Sequence, residues 1–327
     1  MFIIRKIVFF LIFLVAADVS LFFLNPIFSE KIKKEVLIVE GASFQSVADL
    51  LKERQLVSNS LYFRFLGKWT KEDQHIKPGV YNFHTAMWPI EILEMLVSGK
   101  IAQKEVTFRE GLTSSAIARI LYEAGLGPEE DFLFTMRDPR LLHEFGIGAE
   151  NLEGYLFPET YFFSVGTSPD QIIRQMVEQF KLRFTSALQR QASFMEMTQR
   201  EVVTLASIID KETASNEERT IISAVFHNRI RLGMRLQSDP TVIFGIENFN
   251  GNLTRKDLMT PTPYNTYTIP GLPPGPIGNP GDAALTAALF PAKVSYLYFV
   301  SRNDGTHYFS KTLEEHNAAV NRFQKNR

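Results

Sequence analysis

The stretch TLASIIDKETASNEER (204–219) brings two carboxylates, Asp210 and Glu212, to the end of an apolar run. The segment REVVTLASIIDKETA (200–214) has apolar residues at 202, 205, 206 and 209, the spacing of one helix face. Glu212 follows Ile209 by three positions and Ile208 by four, while Asp210 follows Ala206 by four. At about 100° per residue the two acids fall on opposite flanks of that face, and Lys211 points away. At least one carboxylate is then expected at the margin of a buried surface. Desolvation there raises a carboxyl pKa and suits it to general-acid work near neutral pH. The plainer alternative is a helix end whose acids face water or pair with Arg219 or Arg229, and the pattern alone favours it.

Other segments carry polar side chains in unusual settings. MRLQSDPTVIFG (234–245) holds Gln237, Ser238, Asp239 and Thr241 around a Ser-Asp-Pro-Thr turn that starts a strand or helix. TPTPYNTYTIPGLPPGPIGNPG (260–281) is a long proline- and glycine-rich loop with Tyr264, Asn265 and Tyr267 close together. A loop of that length in a compact domain is usually functional or disordered. Its aromatics and amides suit sugar binding, and a structural wrap is an equal alternative. NLEGYLFPETYFF (151–163) sets Glu153 and Glu159 among aromatics, as a ligand wall or as a loop beside a core. The six histidines form no HExxH and no tight cluster, so neither metal nor cofactor is expected. His307 reads as a hairpin residue. There is no GxSxG, P-loop or phosphate-binding GxGxxG.

The elements that must position these residues are α+β in character. VEGASFQSVADLLKERQL (39–56) and REGLTSSAIARILYEAGL (109–126) match without a gap at an offset of 70. Each reads as a β-rich run, a glycine turn, and an amphipathic helix N-capped by Ser43 or Thr113. KPGVYNF (77–83) predicts a turn and strand, and WPIEILEMLVSGK (88–100) a helix with Pro89 in its first turn and Gly99 at its end. These place a small domain at 35–103 and a larger one at 104–327. The larger one is expected to hold helices near 169–192, 199–213 and 217–232, a strand at 296–300, and a last helix from about 312.

The chain has 327 residues, a net charge of −1 and no cysteine. That balance gives no footprint for nucleic acid, and the lack of cysteine removes disulfides and thiol chemistry. After Arg5 and Lys6, IVFFLIFLVAADVSLFFL (7–24) would reach roughly 27 Å as a helix, close to a bilayer core. Residues 1–28 are therefore expected to form a cytoplasmic tip and a single transmembrane helix, with the rest exported. Asp18 is a cost to that span. The alternative is a signal peptide cleaved after VAA (15–17), against which the apolar run resumes at Val19 and continues to Phe28.

In order along the chain, KPGVYNF, EGLTSSAIARIL, LEGYLFPETY, LASIIDKET, NRIRLGMRLQSDPTVIFG, TPYNTYTIPGLPPGPIGNPG and PAKVSYLYFVSRNDGTHYFSKTLEEHN resemble the endolytic murein transglycosylase, or YceG-like, family. The resemblance covers nearly the whole chain. It implies a lysin-motif (LysM)-like small domain before a catalytic domain held outside the inner membrane. The substrate would be nascent peptidoglycan glycan strands, with wall synthases as partners. Where the family usually reads ASIIEKET, its catalytic acid is the second carboxylate, which corresponds to Glu212. Asp210 departs from the family's glutamate by one methylene and is expected in a supporting role. Gln237, Ser238, Asp239, Thr241, Tyr264, Asn265, Tyr267 and Glu153 are the expected sugar-binding residues. A hydrolytic muramidase using Glu212 with Asp239 or Asp210, and a non-enzymatic glycan-binding anchor, are the competing readings.

Overall fold

The computed structural model describes residues 5–6, 17–18, 22, 30–213 and 215–325. Most of the apolar N-terminal run lies outside these residues. Among the described residues no helix is long and apolar enough to cross a membrane. The chain divides into two compact units, 1–105 with 162–167, and 106–161 with 168–327.

The small unit begins with β1 (Lys33–Ile38), followed by α1 (Phe44–Glu53), α2 (Ser60–Thr70), β2 (Gly79–His84) and α3 (Pro89–Ser98). β1 and β2 pair antiparallel from Lys33 opposite His84 to Ile38 opposite Gly79. Alternation along β1 buries Val36 and Ile38 on one face. They meet Val47, Ala48 and Leu51 of α1, Phe63 and Leu66 of α2, and Ile92, Leu93 and Leu96 of α3 in one core. Gly99 closes α3 at φ 73°, as the sequence indicates. Among the described residues of the apolar N-terminal run, Asp18 and Phe22 touch the folded part of this unit. Asp18 accepts a hydrogen bond from the Tyr62 hydroxyl at 2.8 Å. The Phe22 ring meets Tyr62 edge-on, with centroids 5.5 Å apart.

The chain leaves the small unit in β3 (Gln103–Thr107). In the large unit come α4 (Ser114–Glu123), α5 (Glu129–Thr135) and α6 (Pro139–Phe145). β4 (Thr160–Ser164) pairs with β3, and α7 (Pro169–Arg183) and α8 (Ser186–Phe194) follow. The sequence pattern reads 169–192 as one helix. The structure breaks it, because Thr185 leaves helical geometry and caps α8 by accepting the Leu188 amide. Next are α9 (Gln199–Glu212), α10 (Asn216–Arg231), α11 (Asp239–Phe244), α12 (Arg255–Met259) and α13 (Asp282–Leu289). The chain closes with the antiparallel hairpin of β5 (Tyr298–Ser301) and β6 (His307–Ser310), then α14 (Leu313–Val320).

α9 is the axis of the large unit and packs against α13, α10 and α8. Its sequence suggests one apolar face, but every residue from Val202 to Ile209 is buried. The two hydroxyls in that stretch find partners. Thr204 Oγ1 donates to the Arg200 carbonyl at 2.7 Å, and Ser207 Oγ donates to the Thr204 carbonyl at 2.8 Å. Ser207 Oγ also accepts the Ile277 amide at 3.0 Å, which ties the proline- and glycine-rich loop to the helix. Full burial brings the last turn of α9, with both acids, out of the core into its wall.

Candidate active site

The two acids of α9 have separate surroundings. Asp210 Oδ1 accepts from Arg219 Nη2 at 3.1 Å, and the same nitrogen reaches Glu110 Oε2 at 2.9 Å. The side chain of Asp210 is 1% exposed. Burial, reinforced by the nearby Glu110 charge, pushes its carboxyl up to about 7 despite Arg219. The pairing with Arg219 that the sequence offers as the plainer alternative therefore holds for Asp210. Glu212 faces the other way. Its Oε1 accepts a hydrogen bond from Ser238 Oγ. Burial raises the Glu212 carboxyl to about 7; the Ser238 bond opposes that rise and the Asp239 charge adds to it.

Glu212 forms part of the wall of a cleft of about 420 Å³. The rest is Arg229, Leu236, Gln237, Asp239, Tyr267, Tyr298, Phe299, Leu313, His316 and Asn317. Local rules explain how several of these are held. Gln237 takes φ 54°, and its amide donates to the Thr266 carbonyl at 3.1 Å. The Ser238 amide donates to Thr266 Oγ1 at 3.0 Å, so the 237–238 corner hangs on residue 266. Asp239 opens α11 with Pro240 behind it, and its carboxylate accepts the Tyr267 hydroxyl at 2.6 Å. Arg229 donates to the carbonyls of Leu297, Arg235 and Leu236 at 2.6, 3.1 and 2.8 Å and to Gln237 Oε1 at 3.2 Å. Its guanidinium lies 5.1 Å from the Tyr298 ring centre. Tyr298 in turn stacks on His316 at 5.2 Å, giving the cleft a flat aromatic side.

Sequence reasoning places Gln237, Ser238, Asp239 and Tyr267 here, and the structure brings them to Glu212. It gives the other expected sugar-binding residues different surroundings. Thr241 is fully buried, and its hydroxyl donates to the Ser238 carbonyl at 2.7 Å while meeting Thr266 Oγ1 at 2.7 Å. Asn265 is fully buried, and its Nδ2 donates to the carbonyls of Asp257, Leu258 and Thr260 at 3.2, 3.1 and 2.7 Å. Its amide group shapes the loop and has no donor left for a ligand. Tyr264 packs on Phe244, ring centres 4.8 Å apart, and is not among the residues of the Glu212 cleft. The Glu153 carboxylate accepts the Ser114 amide with both oxygens, at 3.1 and 3.0 Å, and Asn279 Nδ2 at 3.2 Å. Burial pushes it up to about 7. It caps α4 and borders a separate cavity of about 560 Å³ with Phe244 and Arg137.

The loop 260–281 thus divides in two. Tyr267 enters the cleft, whereas residues 275–280 are buried against α9 and the α4 turn as a structural strap. Residues missed by sequence reasoning are Tyr298, His316 and Asn317, together with the role of Arg229 in holding the corner. They come from the C-terminal hairpin and α14, and no local pattern sets them apart from ordinary hairpin and helix residues. His307 is a hairpin residue, as read, with its Nδ1 2.7 Å from Glu218 Oε2.

An α+β protein with one half-buried carboxyl facing an aromatic-walled polar cleft has the arrangement of a general acid and its binding site. The chain belongs to the YceG-like family, whose model matches residues 36–322. It is 31% identical over 302 residues to an endolytic murein transglycosylase of Bacillus subtilis, covering 88% of this chain and 83% of that one. An endolytic murein transglycosylase of Streptococcus pneumoniae is 29% identical over 86% of this chain, which spans 57% of that longer protein. The structure is also similar to a crystal structure of a YceG-like protein from Listeria monocytogenes. That match has a TM-score of 0.62 and 35% identity, and covers 89% of this chain and all of the other.

Proposed function

We propose that the chain is an endolytic murein transglycosylase that cuts peptidoglycan glycan strands with Glu212 as the single acid and base. The observation that carries this reading is the carboxyl of Glu212, raised to about 7 and held by Ser238 in the wall of an open polar and aromatic cleft. A protonated Glu212 gives its proton to the glycosidic oxygen between N-acetylmuramic acid and N-acetylglucosamine. The resulting carboxylate takes the proton of the muramyl 6-hydroxyl as that oxygen attacks the anomeric carbon. One C–O bond breaks, another forms, and the proton account closes without water. A group that alternates between acid and base works best with a pKa near the working pH.

In this reading Ser238 orients the Glu212 carboxyl. Asp239, held by Tyr267, offers negative charge to the oxocarbenium-like transition state. Tyr298, His316 and Tyr267 supply faces for sugar rings. Asp210 lies on the opposite flank of α9 with Arg219 and Glu110, so its part is to hold the helix end rather than to react. A hydrolytic muramidase is the second reading, favoured by the presence of Asp239 in the same cleft; a two-carboxylate hydrolase uses such a pair. Mass spectrometry of the products from glycan strands separates them. Anhydro-muramyl ends, lighter by one water than hydrolysed ends, are expected. Hydrolysed ends alone would make Asp239 the base and refute the transglycosylase.

We further propose that residues 1–28 anchor the protein in the inner membrane, with the small unit as a lysin-motif-like module outside it and wall synthases as partners. Support comes from the apolar run 7–24, and from Tyr62, which gives the one charged residue inside it, Asp18, a hydrogen-bond partner. Intact mass of the protein recovered from membrane and soluble fractions tests the anchor. Recovery as a soluble chain starting at Asp18 would show cleavage after Ala17 instead.

A further inference from the structure

α2 has the sequence SLYFRFLGKWT. Phe63, Leu66 and Gly67 turn into the small unit's core, while Leu61, Phe65 and Trp69 are 65%, 62% and 73% exposed. These three recur every four residues and make one apolar stripe along the outside of the helix. Lys68 falls on the edge of the stripe beside Leu61, and Lys71 is the C-terminal cap of the helix. At 100° per residue Tyr62 stands beside Trp69 on the flank of the stripe. Tyr62 is the residue that holds Asp18 and packs against Phe22.

We propose that the Leu61–Phe65–Trp69 stripe lies in the interface of the lipid bilayer, with α2 flat on the membrane. The proposal rests on the anchor reading of residues 1–28. Asp18 and Phe22 both belong to the apolar run 7–24 that the anchor reading places in the membrane. Asp18 and Phe22 are fixed to the flank of α2. The helix that holds them must then sit at the depth where the run leaves the bilayer, not above it. An exposed stripe of leucine, phenylalanine and tryptophan edged by lysines is the chemistry such a position selects. Tryptophan favours the headgroup level, and the lysine ammonium groups reach lipid phosphates. A water-facing helix gains nothing from three such side chains on one line.

The test uses the full chain, whose only tryptophans are Trp69 and Trp88. Trp88→Phe leaves Trp69 as the sole reporter. The protein is reconstituted into vesicles of phosphatidylethanolamine and phosphatidylglycerol, with or without bromine on the acyl chains, and floated on a density gradient. The expected result is flotation, a blue-shifted Trp69 emission, and loss of at least about half of it to brominated lipid, as for an interfacial tryptophan. Leu61→Ser with Phe65→Ser should keep flotation and return much of that emission. Flotation with Trp69 unquenched and open to aqueous iodide overturns the docking and leaves the anchor standing. Flotation with Trp69 unquenched but shielded from iodide shows a protein cover, such as a second copy, and overturns it as well. Failure to float removes the anchor and the docking together.

Discussion

The two copies of the strand–turn–helix repeat, 39–56 and 109–126, are built alike and used differently. Gly41 and Gly111 both take φ 75°. Ser43 Oγ accepts the Ser46 amide at 3.1 Å, and Thr113 Oγ1 the Ala116 amide at 3.2 Å. The helices bury Val47, Ala48 and Leu51 in one copy, and Ile117, Ala118 and Leu121 in the other. Each ends with a leucine amide reaching back five residues, Leu56 to Leu51 at 2.8 Å and Leu126 to Leu121 at 3.1 Å.

The differences lie outside the repeat. A Cβ at Gly41 would meet nothing within 4 Å, whereas one at Gly111 would lie 3.6 Å from Asp210 Oδ2. Glu40 is exposed, while Glu110 binds Arg219. The Gly111 amide donates to the Asn279 carbonyl at 2.8 Å, and Glu153 accepts the Ser114 amide. The second copy is therefore fastened to α9 and to the proline- and glycine-rich strap. A local motif makes the same shape twice, and distant partners decide which copy braces the reactive helix.

The largest expected effect falls at the end of that helix. Glu212→Gln should keep the far-ultraviolet circular dichroism spectrum and reduce cleavage by about 10² to 10⁴-fold, the usual loss of a general acid. Activity within a few-fold of the parent would remove Glu212 from the mechanism. Asp210→Asn, on the braced flank, should reduce it much less.

Next is the brace itself. Arg219→Gln leaves Glu110 and Asp210 facing each other without their cation. At pH 8 it should cost roughly 3–5 kcal/mol in denaturant unfolding, the range for breaking a buried pair, and less at pH 5, where Asp210 is protonated. Glu40→Gln, at the residue that matches Glu110 in the unbraced copy, should stay within about 0.5 kcal/mol of the parent. Equal costs would erase the contrast between the copies.

The pH dependence should follow Glu212. Its carboxyl must carry a proton to donate, so cleavage efficiency should fall about tenfold per pH unit above about 7. The same group binds its proton more tightly folded than unfolded, so ionising it opposes the fold. That penalty is absent below the ordinary value of 4.5, grows up to about 7 and is constant beyond. Glu212→Gln should therefore raise the thermal midpoint at pH 8 and leave it nearly unchanged at pH 4.

The smallest effects should be the most alike. Ser43→Ala and Thr113→Ala each remove a helix cap and should each cost about 1 kcal/mol, read as a shift in the denaturation midpoint. A much larger loss at Thr113 would mean that the brace transmits strain into the cap.

Much of this was legible in single segments. Capping residues, glycine turns, the end of α3 at Gly99 and the opposite flanks of Asp210 and Glu212 all follow from contacts within one turn of chain. The residues that the structure places away from the cleft share a cause as well. Asn265 and Thr241 have the residue types of a sugar site, but a side-chain amide or hydroxyl serves a buried backbone as readily as a ligand, and only the fold shows which. Tyr298 and His316 reach the cleft from a hairpin and a helix whose sequences carry no mark of it.

Sequence alone settled the repeat, its capped helices and the turn that presents Ser238 and Asp239, because hydrogen bonds and periodicity over a few residues decide these. Tertiary structure alone decided that Asp210 pairs with Arg219 while Glu212 meets Ser238. Both acids end the same helix one residue apart from Lys211, and their difference arises from groups brought in from distant parts of the chain. A carboxyl's pKa depends on the water and charges around it, and folding places those from residue 110 on one side and residue 238 on the other.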